Sequence, residues 1–89
     1  MGHSRDYGEL KGMIADAGKM IEVGERYRHV KTGGEYKIVD LVLIEADEEV
    51  GVVYENVENG LRWVRGLKSF CEEVEIDGCK RRRFERVGK

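Results

Sequence analysis

The sequence predicts one small, mainly β domain, a partly closed barrel or strongly bent sheet of five to six antiparallel strands preceded by an N-terminal helix. Three observations predict it. A chain of 89 residues accommodates a single domain. From Val23 onward, short runs rich in Val, Ile, Tyr and Trp recur at spacings of about 8–12 residues. Between them stand turn signals such as Gly33-Gly34, Asn59-Gly60 and Asp77-Gly78.

The helix is read from its cap and its period. Asp6 followed by Glu9 has capping-box spacing, with Asp in place of the usual Ser or Thr. Leu10, Met13, Ile14 and Ala17 then recur at i, i+3, i+4 and i+7, which puts them on one face. Gly18 offers a stop, while Gly8 and Gly12 weaken the helix by about 1 kcal/mol each. So short a helix does not hold by itself, and it must dock or fray. The chain therefore divides into a helical segment, residues 1–22, and a small β-barrel domain, residues 23–89.

Tyr27 to Lys31 is the first candidate strand, closed by Thr32-Gly33-Gly34. Glu35 to Glu45 is the longest. It sets Tyr36 and Ile38 on one face and then becomes apolar on both faces from Leu41 to Ile44. Ala46-Asp47-Glu48-Glu49 returns the chain into Val50–Val57. The Asn-Gly turn leads into Leu61–Arg65, with Trp63 expected opposite Asn56 and Arg65 opposite Tyr54. Gly66 to Ser69 reads as one tight, 3₁₀-like turn. Phe70–Ile76 and Cys79–Arg86 form the last hairpin around Asp77-Gly78, pairing Ile76 with Cys79 and Cys71 with Phe84.

Composition bounds the function. The core of so short a chain is thin, with little room for an enclosed active site, which favours a binding module over an enzyme. Lys and Arg number 16 and Asp and Glu 18, but the charge is unevenly spread. Residues 45–58 carry only acidic charges, whereas residues 80–89 carry six basic charges and one acidic. Such a two-ended molecule can steer an anionic partner, pair head to tail, or simply stay soluble. The longest apolar run, Leu41 to Ile44, is far below the ~20 residues of a membrane span. No signal-peptide core is present, so a cytoplasmic location is expected and no membrane partner. Cys71 and Cys79 would lie roughly 16 Å apart along the hairpin, beyond the ~7 Å reach of a disulfide. Two free thiols in a reducing compartment follow. With no further ligands at suitable spacing, neither a metal nor a cofactor is expected.

Tyr27, His29, Lys31, Gly34, Tyr36, Val39, Val52-Val53-Tyr54, Gly60, Trp63-Val64-Arg65, Phe70, Gly78 and Arg83-Phe84 stand in the order of a known pattern. Over roughly residues 24–86 the chain resembles a family of small bacterial and phage domains of unknown function, number 1653. The resemblance implies an SH3-like small barrel, and it supplies no activity. The chain departs from the family at Gly66, where proline usually follows Trp-Val-Arg.

Two groups of residues are candidates for function. Tyr27 and His29 share a strand face, as do Trp63 and Arg65. Together with Tyr54 they make an aromatic and basic patch suited to a protein segment or a small ligand. The bland alternative is that Trp63 and Tyr36 are core, with the tyrosine hydroxyls bonded at the rim. Arg81, Arg82, Arg83 and Arg86 form the second group, a phosphate-contacting strand for nucleic acid. Its bland alternative is an edge strand blunted by charge. Arg81 and Arg83 would share a face with Cys79, and Lys80, Arg82 and Phe84 the other, so the positive charge is not confined to one side. His29 lacks a partner at catalytic spacing, and Cys71 is read as filling core next to Phe70, so no catalytic residue is assigned. Oligomeric state is not readable from the sequence.

Overall fold

The computed structural model describes residues 5–88. The terminal residues 1–4 and 89 of the two segments named above lie outside the described residues. The described chain is mainly β, with antiparallel sheets and an N-terminal helix. Helix α1 spans Tyr7–Met20. The strands are β1 Arg26–His29, β2 Glu35–Ile44, β3 Glu49–Asn56, β4 Arg62–Gly66, β5 Glu73–Ile76, β6 Cys79–Arg82 and β7 Phe84–Arg86, with the one-turn helix α2, Leu67–Phe70, after β4. Five strands form a sheet in the order β4-β3-β2-β1-β7, and β5-β6 stands apart as a hairpin. No ladder joins β4 to β7, so the sheet is bent but not closed.

Seven strands replace the expected five or six because Cys79–Arg86 is not one strand. It breaks at Arg83, whose N–H donates to the Glu72 carbonyl at 2.8 Å and whose carbonyl accepts from Val30 N–H at 3.0 Å. The chain thereby leaves the hairpin and joins β1, where Phe84 pairs with His29. Cys71 accordingly does not face Phe84. The Ile76–Cys79 pair is as expected, closed by Asp77 and Gly78 at φ 51° and 80°. That is the type I′ turn, which requires positive φ at both positions. Both cysteines are free.

Helix α1 begins where Asp6 accepts the Glu9 N–H at 2.8 Å and runs past Gly18 to Met20. It docks on its own sheet, against β2 and β3, and buries Leu10 and Ala17. Arg5 ties it down, donating to the Glu48 carbonyl at 2.9 Å. No described helix is long and apolar enough to cross a membrane.

A β-bulge between Ile38 and Asp40 shifts the register of β2. Ahead of it, Tyr36 and Ile38 point to the core. Beyond it the alternation inverts: Leu41 packs against the core, and Leu43 follows on the same face beside α1. The core consists of Ile21, Tyr27, Ile38, Val52, Tyr54, Phe70 and Phe84. It is largely aromatic. Phe70 and Phe84 stack with centroids 4.1 Å apart, and Tyr54 meets both rings edge-on at 5.6 and 5.3 Å.

Candidate functional site

The inner sheet face presents the candidate patch, and its register differs from expectation. Trp63 pairs with Tyr54, Arg65 with Val52 and Arg62 with Glu55. The Asn59-Gly60 pair does not form a two-residue hairpin turn. Instead the Asn56 side chain accepts the N–H groups of Glu58 and Asn59 at 2.8 and 3.0 Å, and Asn56 N–H donates to the Leu61 carbonyl at 2.9 Å. The loop therefore holds two more residues than a tight turn, and the register moves by two. An even shift preserves the faces, so Trp63 and Arg65 still lie on the side of Tyr54.

Arg65 is the centre of the patch. Its Nε donates to the Tyr54 hydroxyl at 3.4 Å and its Nη1 to Ser69 Oγ at 3.0 Å. Its guanidinium sits 5.6 Å above the Phe84 ring centroid, a cation–π geometry. The chain carries nine arginines. Six of them have a carboxylate partner among the described residues: Arg5, Arg26, Arg62, Arg81, Arg83 and Arg86. Arg28 and Arg82 have none and are exposed, where water balances their charge. Arg65 is the half-buried one whose bonding partners are hydroxyls only.

His29 packs against the same Phe84 ring, perpendicular to it with centroids 4.9 Å apart. Its Nδ1 is buried with no hydrogen-bond partner among the described residues. Burial pushes the imidazole pKa down, and the nearby charges of Arg65, Arg83 and Lys31 push it the same way. Burial and neighbouring cations thus both favour the neutral imidazole over the charged one. Tyr36 completes the arrangement, edge-on to Tyr54 at 5.2 Å.

The five candidate residues separate into three environments. His29, Tyr54 and Arg65 converge around Phe84. Trp63 follows on β4 with 53% of its surface exposed, so the indole is not core. Tyr27 is 5% exposed and packs edge-on to Phe70 at 5.3 Å. Burial raises its pKa first, with Glu25 adding to the effect. Tyr54 is also buried, and it contributes to the site through the hydroxyl that Arg65 holds. Ser69 and Phe84 were not legible as site residues. Ser69 is brought beside Arg65 by the α2 turn, and Phe84 is turned inward only by the break at Arg83.

The basic group is dispersed. Arg81 is held bidentately by Glu85 at 3.0 and 2.6 Å. Arg83 donates to Glu72 at 2.9 Å and to the Ser69 carbonyl at 3.2 Å, and Arg86 pairs with Glu25 at 3.1 Å. Of the four, only Arg82 has no carboxylate partner among the described residues. Three of the four arginines are thus neutralised locally, by Glu85, Glu72 and Glu25.

Gly66, the departure from the family pattern, adopts φ −57° and ψ 145°. That φ is the one a proline ring fixes, so the turn into α2 keeps a proline-compatible geometry. A family model described as a protein of unknown function, DUF1653, matches residues 25–86, which takes in every strand and omits α1. No curated protein and no solved structure matches the chain.

Proposed function

We propose a binding function for this chain, which belongs to the DUF1653 family of proteins of unknown function. It is a cytoplasmic module that recognises a protein segment or small ligand through an aromatic and basic patch, with Trp63 and Arg65 as its contact residues and His29 and Tyr54 behind them. The observation that carries this reading is Arg65. A half-buried guanidinium without a carboxylate keeps unused donors, and supplying it with an anion yields a strong, charge-assisted bond. Beside it, an indole more than half exposed offers a large apolar surface that the fold itself does not require. Tyr27 belongs to the support of the patch, because its ring is sealed under Phe70. Pairing of Arg81, Arg83 and Arg86 with carboxylates disfavours the nucleic-acid alternative, since each pair must be broken before a phosphate takes its place.

The test is capture from the native host and from a peptide display library, using the wild-type chain beside Trp63→Ser and Arg65→Gln. Circular dichroism establishes that both variants are folded. A ligand held by the wild type and lost by both variants supports the proposal. Equal capture by all three chains overturns it.

A further inference from the structure

We infer that β4 is a docking edge to which an extended segment of alternating acidic and apolar residues from a partner protein adds as a sixth strand, its carboxylates on the face of Trp63 and Arg65 and its apolar side chains on that of Val64. The inference rests on the binding function proposed above and names the class of ligand and the manner of its recognition.

The first observation is the open edge. β4 is the last strand of its sheet on that side, while β3 covers its other side. The Asn56–Leu61 bond fixes which backbone groups are free. In an antiparallel ladder, hydrogen-bonded and non-bonded pairs alternate. Asn56–Leu61, Tyr54–Trp63 and Val52–Arg65 are therefore the bonded pairs. Arg62 and Val64 turn their N–H and C=O groups, and Gly66 its N–H, away from β3, while the Gly66 carbonyl caps α2. A strand laid along β4 finds these groups waiting, which is the geometry of strand addition.

The second observation is how little protects this edge. The opposite edge, β7, is three residues long and includes Glu85 and Arg86. β4 is five residues long and includes neither a proline nor a bulge. Leu61, Trp63 and Val64 are 55%, 53% and 56% exposed. Edges of this length and character are normally covered.

Charge selects the occupant. β4 carries Arg62 and Arg65 and no acidic residue. Glu55 neutralises Arg62 at 2.8 Å, which leaves Arg65 uncompensated. A second copy pairing β4 with β4 about a two-fold axis would bring these arginines together, and like charges across a ladder repel. A segment alternating acidic and apolar residues, in the register that sets its carboxylates on the face of Arg65, sets its apolar side chains on that of the exposed Val64. The chemistry that fits is thus an extended acidic–apolar peptide.

The probe is acetyl-Glu-Val-Glu-Val-Glu-Val-amide, titrated into the full chain while following the fluorescence of Trp63, the single tryptophan. Saturable binding is expected, with amide exchange slowed at Arg62 and Val64 and unchanged at Trp63, whose N–H already serves β3. Methylating alternate peptide nitrogens on the β4-facing side weakens binding by roughly tenfold or more, since at least two hydrogen bonds are lost. The Lys-Val counterpart binds more weakly still, and Arg65→Gln narrows the gap between the two peptides. Failure to bind, or full binding by the methylated peptide, overturns strand addition. A ligand captured through Trp63 and Arg65 without protection at Val64 also overturns it, yet leaves the binding function standing. Concentration-dependent dimerisation that protects Val64 without any peptide overturns the partner assignment in favour of self-pairing.

Discussion

Replacing Gly66 by proline tests the geometry of β4 directly, and the structure indicates a gain in stability. Four conditions must hold for proline to be accepted. The backbone already has φ −57°, within proline's range. The added Cβ meets no atom within 4 Å. The Gly66 N–H, by the ladder alternation that starts from Asn56–Leu61, serves no partner in β3, and Arg65 before it is extended as a pre-proline residue must be. With no native bond lost, the effect acts through the unfolded chain, which surrenders the freedom of a glycine. Such substitutions stabilise by about 0.4–1 kcal/mol. For a domain of this size that corresponds to a rise in Tm of roughly 2–8 °C. The assay is thermal and urea unfolding of both chains, the urea slope being unchanged if only stability has moved. A fall in Tm would show that Gly66 N–H is engaged. The register of β4 and its free edge would then both be wrong.

Four further outcomes are expected. Phe84→Leu removes a 2%-exposed ring stacked on Phe70 and is expected to cost about 1–2 kcal/mol, with Phe84→Ala costing about 3–5 kcal/mol, read from urea midpoints. A loss under ~1 kcal/mol for the alanine variant would contradict the aromatic core. Trp63→Ala leaves the fold intact at a cost of about 1–2 kcal/mol, since only part of the indole is buried; an unfolded spectrum would make Trp63 core. Gly51→Ala destabilises by about 1–2 kcal/mol, because its Cβ would lie 2.9 Å from Ile44 Cγ1 and 3.0 Å from Val64 Cγ2, and unchanged stability would count against that packing. His29 carries a lowered pKa, so below its ordinary value near 6.5 the unfolded chain takes up the proton first. Its contribution to stability is therefore whole above that value and declines as the pH falls through the folded-state pKa. His29→Leu should flatten the difference in urea midpoint between pH 7.5 and pH 5.5, and an unchanged slope would refute the burial of Nδ1.

Local chemistry made part of this fold legible. The Asp6 cap, the Asp77-Gly78 turn with its Ile76–Cys79 pair, and the order of strands from Tyr27 to Arg65 all lie in short stretches of sequence. What escaped depended on atoms far away in the chain. Nothing in Lys80-Arg81-Arg82-Arg83-Phe84 marks a break, because the break is set by Val30 and Glu72 capturing the Arg83 backbone. The β4 register was misjudged by two because the Asn56 side chain competes with the Asn59-Gly60 turn for the loop's N–H groups. The patch survived that error, since the shift was even and faces were kept. Its composition was only half visible. Trp63, Arg65 and His29 were selected by type and alternation, while Ser69 and Phe84 reach the site only after folding.

Strand β7 lies beside β1, and it carries half of the Phe70–Phe84 stack. Synthesis runs from the N-terminus, so β1 through β4 are made before Phe84. Until then the inner sheet face is an aromatic surface without its lid, and β1 is left as an open edge. The rate-limiting event in folding should therefore be the late arrival of a three-residue strand, which closes the longest loop in the domain. Nascent chains stalled before that point would depend on chaperones for their solubility.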